Sequence, residues 1–533
     1  MSRRALMAIL SGAALLMAGA GTAAAGSVTY GPNNTVIVAQ DISDAITLDP
    51  QVAYEFTSVA AAHLMYSTLT QFPLENLTKP EGEVATSWTE TDNGQNWVFH
   101  LRKGLKFWNG DPLTSADVVY SLERAVDITT SPAGWLVTQT GLTPQNVAQD
   151  IKAVGPYEVT MHLPQAFAPG AWLAILANSV TGIVDMKVVE QHVVKGDYGS
   201  HWLYDHSAGS GPYVLQQWQP AQVLSMTANP NYNLGPAPQV KRVVWQEMSD
   251  TTTRLDALQR GNADVAIGLT AAQLASLKGN PNVKILKVPQ IAQVYMGMNV
   301  GVPGLNNPLV REAIKYAIDY PAIVKDLVQG DGIEEQGIIP KGIFGYSPSL
   351  PFGYNVAKAK ALMKKAGYAK GFTVSMLVPT GTIGNTVSAE ALAEVIKSDL
   401  AAINVNVNLK LMQSSALYSQ YRAQTAQLVL AEWELDYPDP QDFAGPFADY
   451  TDKSLIWRLK DYSKPLSLLA QKAATMQDTP ARAALYTQLF NDMKTGPFAI
   501  IYQPDEVIAY SSKLGHVTYD DVNNIDFQNM SKS

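Results

Sequence analysis

The chain has 533 residues, several times the usual length of one domain, and 47% of them are hydrophobic while 16% are charged. This composition excludes a disordered chain and a multi-span membrane protein. A net charge of −9 without a basic run argues against electrostatic binding of nucleic acid. Because cysteine is absent, disulfides, thiolate metal sites, a cysteine nucleophile and a cysteine-linked lipid anchor are also excluded.

Residues 1–25 have the three parts of a secretory signal peptide. Arg3 and Arg4 are basic, Ala5–Ala18 form an uncharged apolar core, and small residues lead up to Gly26. The core is short for a bilayer span, although an uncleaved membrane anchor is the alternative interpretation. We predict a mature, periplasmic protein without a lipid anchor. Removing the signal changes the net charge from −9 to −11, and the export route, general or twin-arginine, stays open.

The region from 28 to 199 is predicted to be rich in strands and turns. Alternating residues over Trp88–Arg102 predict a hairpin around the Asn93-Gly94 turn. Thr114, with Asp117 three residues later, predicts the start of a helix. The alternation from Tyr157 to Leu163 predicts a further strand.

Helices and strands alternate from about residue 250 onward. A helix is predicted over 251–260 with Gly261 at its end, and helical spacing continues over Pro308–Val328. Asn355 is predicted to cap a helix over 356–366. Between 372 and 433 the pattern reads strand, helix, strand, helix, strand, which is typical of an α/β layer with a largely parallel sheet.

Sequence patterns for catalysis or nucleotide binding are weak in this chain. It contains neither the phosphate-binding pattern G-x-x-x-x-G-K-[ST] nor G-x-G-x-x-G between a strand and a helix. The seven histidines are dispersed, so we expect no metal site and no cofactor. A pair of carboxylates for glycoside hydrolysis is not excluded by spacing, because such residues can be far apart in sequence.

Seven segments resemble the family 5 solute-binding proteins of ABC transporters, the receptors for dipeptides, oligopeptides and nickel chelates. The longest of these segments is ATSWTETDNGQNWVFHLRKGLKFWNGDPLTSADVVYSLERAV at 85–126. The others, which follow in the order of the family, are SGPYVLQQWQ (210–219), NPNYNLGPAP (229–238), TTTRLDALQRGNADVA (251–266), VREAIKYAID (310–319), YNVAKAKALMKKAGY (354–368) and WELDYPDPQDF (433–443).

The resemblance implies an α/β fold of the two-lobed periplasmic binding protein type (type II), hinged and with an extra inserted domain. Lobe I would then comprise 26–72, 200–295 and 500–533, the inserted domain 73–199, and lobe II 296–499. The chain would cross the hinge near Tyr295–Val300 and again near Ile500–Pro504.

The same resemblance implies a ligand site at the end of the strand that closes the α/β pattern. In open α/β sheets, ligands bind beyond the carboxyl ends of the strands, and here that end reads Glu434-Leu435-Asp436-Tyr437. Trp433 and Asp436 match the W-x-x-D segment whose aspartate, in peptide receptors of the family, pairs with the ligand's α-ammonium group. The backbone of Glu434 would add hydrogen bonds as an extra strand does, and Tyr437 is included as a contact.

From the opposite lobe, the family's early contact loop is similar to the segment Tyr54-Glu55-Phe56-Thr57. We therefore expect Tyr54, Phe56 and Thr57 to contact the ligand. We find no counterpart of the basic residue that receives a peptide's carboxylate, so the length of the ligand is open.

The expected function is that of a monomeric receptor, not an enzyme, which delivers di- or oligopeptides to an inner-membrane ABC permease with its ATPase subunits. Nucleic acid is not an expected partner. One alternative keeps the receptor fold but binds a metal chelate or an oligosaccharide. A second alternative is a secreted hydrolase that uses paired carboxylates.

Overall fold

The structure is a computed structural model that describes residues 34–74, 76–77, 79–128, 131 and 133–533. The predicted signal peptide at 1–25 lies outside the described residues. In the part of the chain that is described, no helix has both the length and the apolar character needed to cross a membrane.

Strands occur throughout the described part of the chain, from Thr35 to Lys532. In chain order they are β1 (Thr35–Gln40), β2 (Thr70–Gln71), β3 (Glu81–Gly82), β4 (Ala85–Thr91), β5 (Asn96–Leu101), β6 (Ile151–Ala153), β7 (Glu158–His162), β8 (Tyr213–Gln219), β9 (Val223–Ala228), β10 (Arg242–Glu247), β11 (Val265–Ala266), β12 (Val283–Pro289), β13 (Ala292–Met298), β14 (Gly332–Glu334), β15 (Phe372–Pro379), β16 (Thr382–Ile383), β17 (Val387–Ser388), β18 (Val405–Met412), β19 (Leu428–Glu434), β20 (Phe498–Ser511), β21 (Leu514–Gly515), β22 (Tyr519–Asp520), β23 (Asn524–Ile525) and β24 (Ser531–Lys532).

The α-helices alternate with these strands, chiefly in the second half of the chain. They are α1 (Phe56–Met65), α2 (Ser115–Asp127), α3 (Trp135–Thr138), α4 (Val147–Asp150), α5 (Pro169–Ile175), α6 (Met186–Val189), α7 (Ser200–Leu203), α8 (Thr251–Arg260), α9 (Ala271–Ser276), α10 (Pro308–Ala317), α11 (Tyr320–Ile323), α12 (Val356–Lys365), α13 (Ala389–Ala401), α14 (Ser414–Arg422), α15 (Gln441–Ala448), α16 (Leu455–Arg458), α17 (Lys464–Ala474) and α18 (Pro480–Asp492).

One long strand joins two half-sheets into a 12-stranded sheet of order β18-β15-β19-β13-β20-β11-β1-β10-β9-β8, with β12 and β14 also paired to β20. The first part of β20, up to Pro504, pairs with β13 and β14. Its second part, from Asp505, pairs with β12 and β11. The chain therefore passes between the half-sheets inside β20 and again between β12 and β13. The predicted limits of the lobes remain a prediction.

The predicted β-α-β-α-β layer is confirmed in the second half-sheet. Strand β15 pairs in parallel with both β18 and β19, and helices α13 and α14 make the connections. Parallel neighbours need such crossovers, and they bring the carboxyl ends of the three strands to one edge. The candidate site lies at that edge.

A separate four-stranded sheet of order β4-β5-β7-β6 lies within the region predicted to be rich in strands and turns, which also contains the helices α1 to α6. Its first hairpin is the predicted one, and its turn residues Asp92, Asn93 and Gly94 have φ of 57°, 57° and 80°. The predicted helix start is also present, because the Asp117 carboxylate accepts hydrogen bonds from the backbone N–H of Thr114 (2.8 Å) and from its hydroxyl (2.9 Å).

The helical pattern over 308–328 is interrupted in the structure. Helix α10 ends at Ala317, Ile318 is extended, and the Asp319 side chain caps α11 by accepting from the Ala322 N–H (3.1 Å). The cause is Pro321, since a proline lacks the N–H needed by the helix and its ring clashes with the carbonyl four residues earlier. Apolar spacing alone did not indicate this break.

Candidate ligand site between the half-sheets

Strand β19 places carboxylates at alternate positions as it leaves the core. Leu428 and Leu430 pack on one face of the sheet, and Glu432 and Glu434 continue that same face because side chains alternate along a strand. Asp436 follows two residues later, beyond the last paired residue. The end of the strand thus presents three acidic side chains, all of them only partly buried.

Asp436 is held by contacts from three separate parts of the chain. Its carboxylate Oδ2 accepts from the Tyr54 hydroxyl (2.9 Å), and its carbonyl accepts from Asn178 Nδ2 (2.7 Å). Its own N–H donates to Asp442 Oδ2 (2.9 Å). The Trp135 indole N–H donates to the Tyr54 hydroxyl (3.3 Å), which orients that hydroxyl toward the carboxylate. Three segments that are far apart in the sequence therefore meet at this residue.

The loop after Asp436 is fixed by a buried ion pair. Arg482 Nη1 and Nη2 donate to the two Asp439 carboxylate oxygens at 2.8 and 2.7 Å, and both side chains are nearly inaccessible to solvent. A bidentate pair of this kind fixes orientation as well as position. The Trp433 indole N–H donates to the Asp442 carbonyl (3.0 Å), closing the loop onto the strand.

The predicted contact residues are distributed unevenly around Asp436. Tyr54 touches it directly, and Glu434 and Trp433 lie on the strand that leads to it. Tyr437 is fully buried in the core of the four-stranded region, where its hydroxyl donates to Gln139 Oε1 (3.2 Å).

The structure does not bring two of the predicted residues to the carboxylates. The Phe56 side chain is 52% exposed. Thr57 is buried, and its N–H donates to Asp44 Oδ2 (3.0 Å) while its hydroxyl accepts from Gln40 Nε2 (3.4 Å). Thr57 therefore contacts its own half of the molecule. These assignments to the ligand site remain predictions.

Three further carboxylates face this region, and sequence reasoning missed them. Glu432 Oε2 accepts from the Gly384 N–H (2.7 Å), Glu506 lies on β20 just past the change of half-sheet, and Asp521 Oδ2 accepts from the Ile291 N–H (2.8 Å). A signal for Glu432 does exist, since it interrupts the strongly apolar start of its strand.

Burial raises the pKa of each carboxyl in this group, and the charges of other members raise the pKa of Glu434 and Glu506 further. Burial raises the pKa of Asp436 to about 7, against an opposing contribution from the Tyr54 hydrogen bond. Burial, followed by the charges of neighbouring carboxylates, raises the pKa of Glu506 to about 8. Burial likewise raises the pKa of Asp521 to about 7. The pKa of Glu434 lies well above its usual range because of burial and then the charges of Glu432, Glu506, Asp521 and Asp436.

No lysine or arginine in the described part of the chain forms an ion pair with these groups. Within the described ranges, none of the ion pairs involves the five carboxylates Glu432, Glu434, Asp436, Glu506 and Asp521. The nearby Lys287 is held by Asp331 and Asp505 at 3.2 Å each. Nor does that part of the chain contain a group of three or more histidines and carboxylates arranged to hold a metal ion. The region is suited to receive a cation from outside the chain.

Comparison with known proteins gives the family. Residues 79–454 match the model of the bacterial extracellular solute-binding proteins, family 5 Middle. The chain belongs to this family. The resemblance noted in the sequence is therefore confirmed, and the fold is the two-lobed type II fold of periplasmic binding proteins. Family 5 consists of solute-binding proteins.

Individual relatives cover most of this family 5 chain. It is 28% identical over 464 residues to the probable D,D-dipeptide-binding periplasmic protein DdpA of Escherichia coli K12, covering 86% of each chain. It is 30% identical to the glutathione-binding protein GsiB of Escherichia coli O6:K15:H31, covering 75% of this chain and 73% of that one. Among solved structures, Helicobacter pylori DppA in complex with the peptide STSA superposes with a TM-score of 0.82 at 25% identity, covering 93% and 98% of the two chains.

Proposed function

We propose that this family 5 protein is the receptor of an ABC importer, which captures di- or oligopeptides between its lobes and delivers them to a membrane permease with ATPase subunits. It acts in the periplasm as a monomer, after removal of residues 1–25, and returns its ligand chemically unchanged. The proposal is supported by family membership and by the ligands named for the relatives DdpA, GsiB and DppA.

The observation that carries the peptide assignment is the environment of Asp436. Its partly enclosed carboxylate accepts a hydrogen bond from Tyr54 but has no cationic partner among the described residues. An enclosed carboxylate without a counter-charge is costly, and a charge-assisted hydrogen bond removes much of that cost. The α-ammonium group of a peptide supplies such a bond.

Capture depends on contacts that exist only when the lobes are together. Asp436 belongs to predicted lobe II and Tyr54, which donates to its carboxylate, belongs to predicted lobe I, so a ligand bound at Asp436 lies where the two lobes meet. A ligand shifts the open and closed populations only by its extra affinity for one of them. The proposed hinge consists of the passage between β12 and β13, which comes before the predicted crossing at Tyr295–Val300, and the passage within β20.

A thermal-shift screen tests this function. We expect dipeptides with a free amino terminus to raise the melting temperature, and N-acetylated versions, sugars and nickel–histidine mixtures to leave it unchanged. Mass spectrometry should then recover the peptide intact. Stabilisation by a sugar or a chelate alone, or recovery of a cleaved peptide, would contradict the proposed function.

A further inference from the structure

The interface between the lobes holds more acidic side chains than one ammonium group can pair with. Besides Asp436, four side chains form a group that we name the hinge carboxylates: Glu432, Glu434, Glu506 and Asp521. Both lobes contribute to it, since Glu432 and Glu434 end β19 while Glu506 lies in β20 beyond Pro504. Burial raises the pKa of each of the four side chains. The charges of other members of the group raise the pKa of Glu434 and Glu506 further.

Glu506 gives an independent indication that this group can accept a hydrogen bond from a ligand. Its side chain is only 6% exposed, and its Oε1 atom has no hydrogen-bond partner among the described residues. The charges that act on it come from Asp521 and Glu432, so the unpartnered oxygen belongs to the same group. Buried carboxylate oxygens are normally hydrogen-bonded, and an unsatisfied one calls for an absent donor.

The spacing of the carboxylates fits a particular kind of ligand. Glu434 ends β19 and Asp436 lies two residues beyond it, so the two residues are at most about 7 Å apart along the chain. The side-chain nitrogen of a lysine stands at the end of a flexible four-carbon stem and reaches a comparable distance from its own α-amino group. A basic residue whose α-ammonium lies at Asp436 can therefore bring its second positive charge to Glu434.

On the basis of the proposed peptide function, we propose that the preferred ligands are peptides whose first residue is basic, with the α-ammonium at Asp436 and the side-chain cation among the hinge carboxylates. This assigns to the four acidic side chains a role in selecting the first residue of the ligand. An ammonium or guanidinium group offers several N–H donors, which suits a site made of several acceptors.

Calorimetry with matched peptides tests the inference. We expect Lys-Ala to bind at least 30-fold more tightly than norleucyl-alanine, whose first side chain has a similar aliphatic stem but no charged group. Glu434→Gln and Glu506→Gln should each reduce this preference at least fivefold, mainly by weakening Lys-Ala. The exposed Glu90→Gln should leave it unchanged. Glu506→Gln should also raise the melting temperature of the empty protein, which verifies that the variant folds.

The outcomes separate this inference from the function on which it rests. If Lys-Ala and norleucyl-alanine bind equally well, the inference is overturned and the peptide function stands. If neither peptide binds, both are overturned. Cadaverine, which has two amines but no peptide bond, is expected to bind at least 10-fold more weakly than Lys-Ala. Equal or tighter binding of cadaverine would overturn the assignment to peptides.

Discussion

Asp436→Asn should weaken binding of a free-amino dipeptide by about 100-fold, which is about 3 kcal/mol. The substitution preserves the shape of the side chain and its ability to accept from Tyr54 (2.9 Å in the native chain). It removes only the charge that would face the ligand's ammonium group. Losing one partner of a desolvated charge pair typically costs about 2 to 5 kcal/mol, since the remaining charge stays buried without compensation. Isothermal titration calorimetry measures the difference directly.

The fold itself should tolerate this change. Because burial raises the pKa of Asp436, the carboxylate opposes the closed arrangement, and asparagine should leave the melting temperature equal or slightly higher. The exposed Asp326→Asn, in the same lobe, serves as the control and should retain full affinity. Unaltered peptide affinity in Asp436→Asn would remove this residue from the ligand site.

The empty protein should lose stability as the pH rises from 5.5 to 8.5. The carboxyls of Asp436, Asp521 and Glu506 have pKa values raised to about 7, 7 and 8, so they keep their protons in the closed protein at pH 5.5. In the unfolded chain they ionise near pH 4. A carboxyl whose folded pKa is raised stabilises the fold fully below its unfolded pKa, and that contribution disappears as the pH passes the folded value.

The size of the effect follows from the same pKa values. Each unit of difference between the folded and the unfolded pKa changes the unfolding free energy by about 1.4 kcal/mol. Opening of the lobes rehydrates the carboxylates and so reduces the cost of ionising them in the folded protein. We expect the unfolding free energy in urea to fall by about 2 to 4 kcal/mol over this range. The double variant Glu506→Gln/Asp521→Asn should show a clearly flatter dependence. An equal slope in both proteins would show that these groups do not titrate in that range.

Local sequence patterns predicted the elements whose stability is local. The Asn93-Gly94 turn, the Thr114 and Asp117 helix start and the β-α-β-α-β order depend on backbone preference and on the alternation of apolar residues. The Asn355 cap is present as well, since its side chain accepts from the Lys358 N–H (2.9 Å). The break before Pro321 was missed because the apolar spacing continues across it.

The candidate site was predictable only where one strand carries it. Asp436 follows directly from the end of β19. Tyr54, 382 positions earlier in the chain, was assigned to the same site only through the family resemblance, and its hydrogen bond to Asp436 was not predicted. Glu506 and Asp521 come from other strands and loops, and nothing in their local sequence indicates that they face β19. Contacts of this kind depend on how the half-sheets pack.

Closure of the two lobes on a peptide that Asp436 helps to hold is the step on which the proposed transport function depends. Small-angle X-ray scattering of the empty and peptide-saturated protein at pH 8 measures this closure directly. We expect a smaller radius of gyration when peptide is added, and no change for Asp436→Asn at the same peptide concentration. Identical scattering curves with and without a peptide that calorimetry shows to be bound would contradict closure of the lobes.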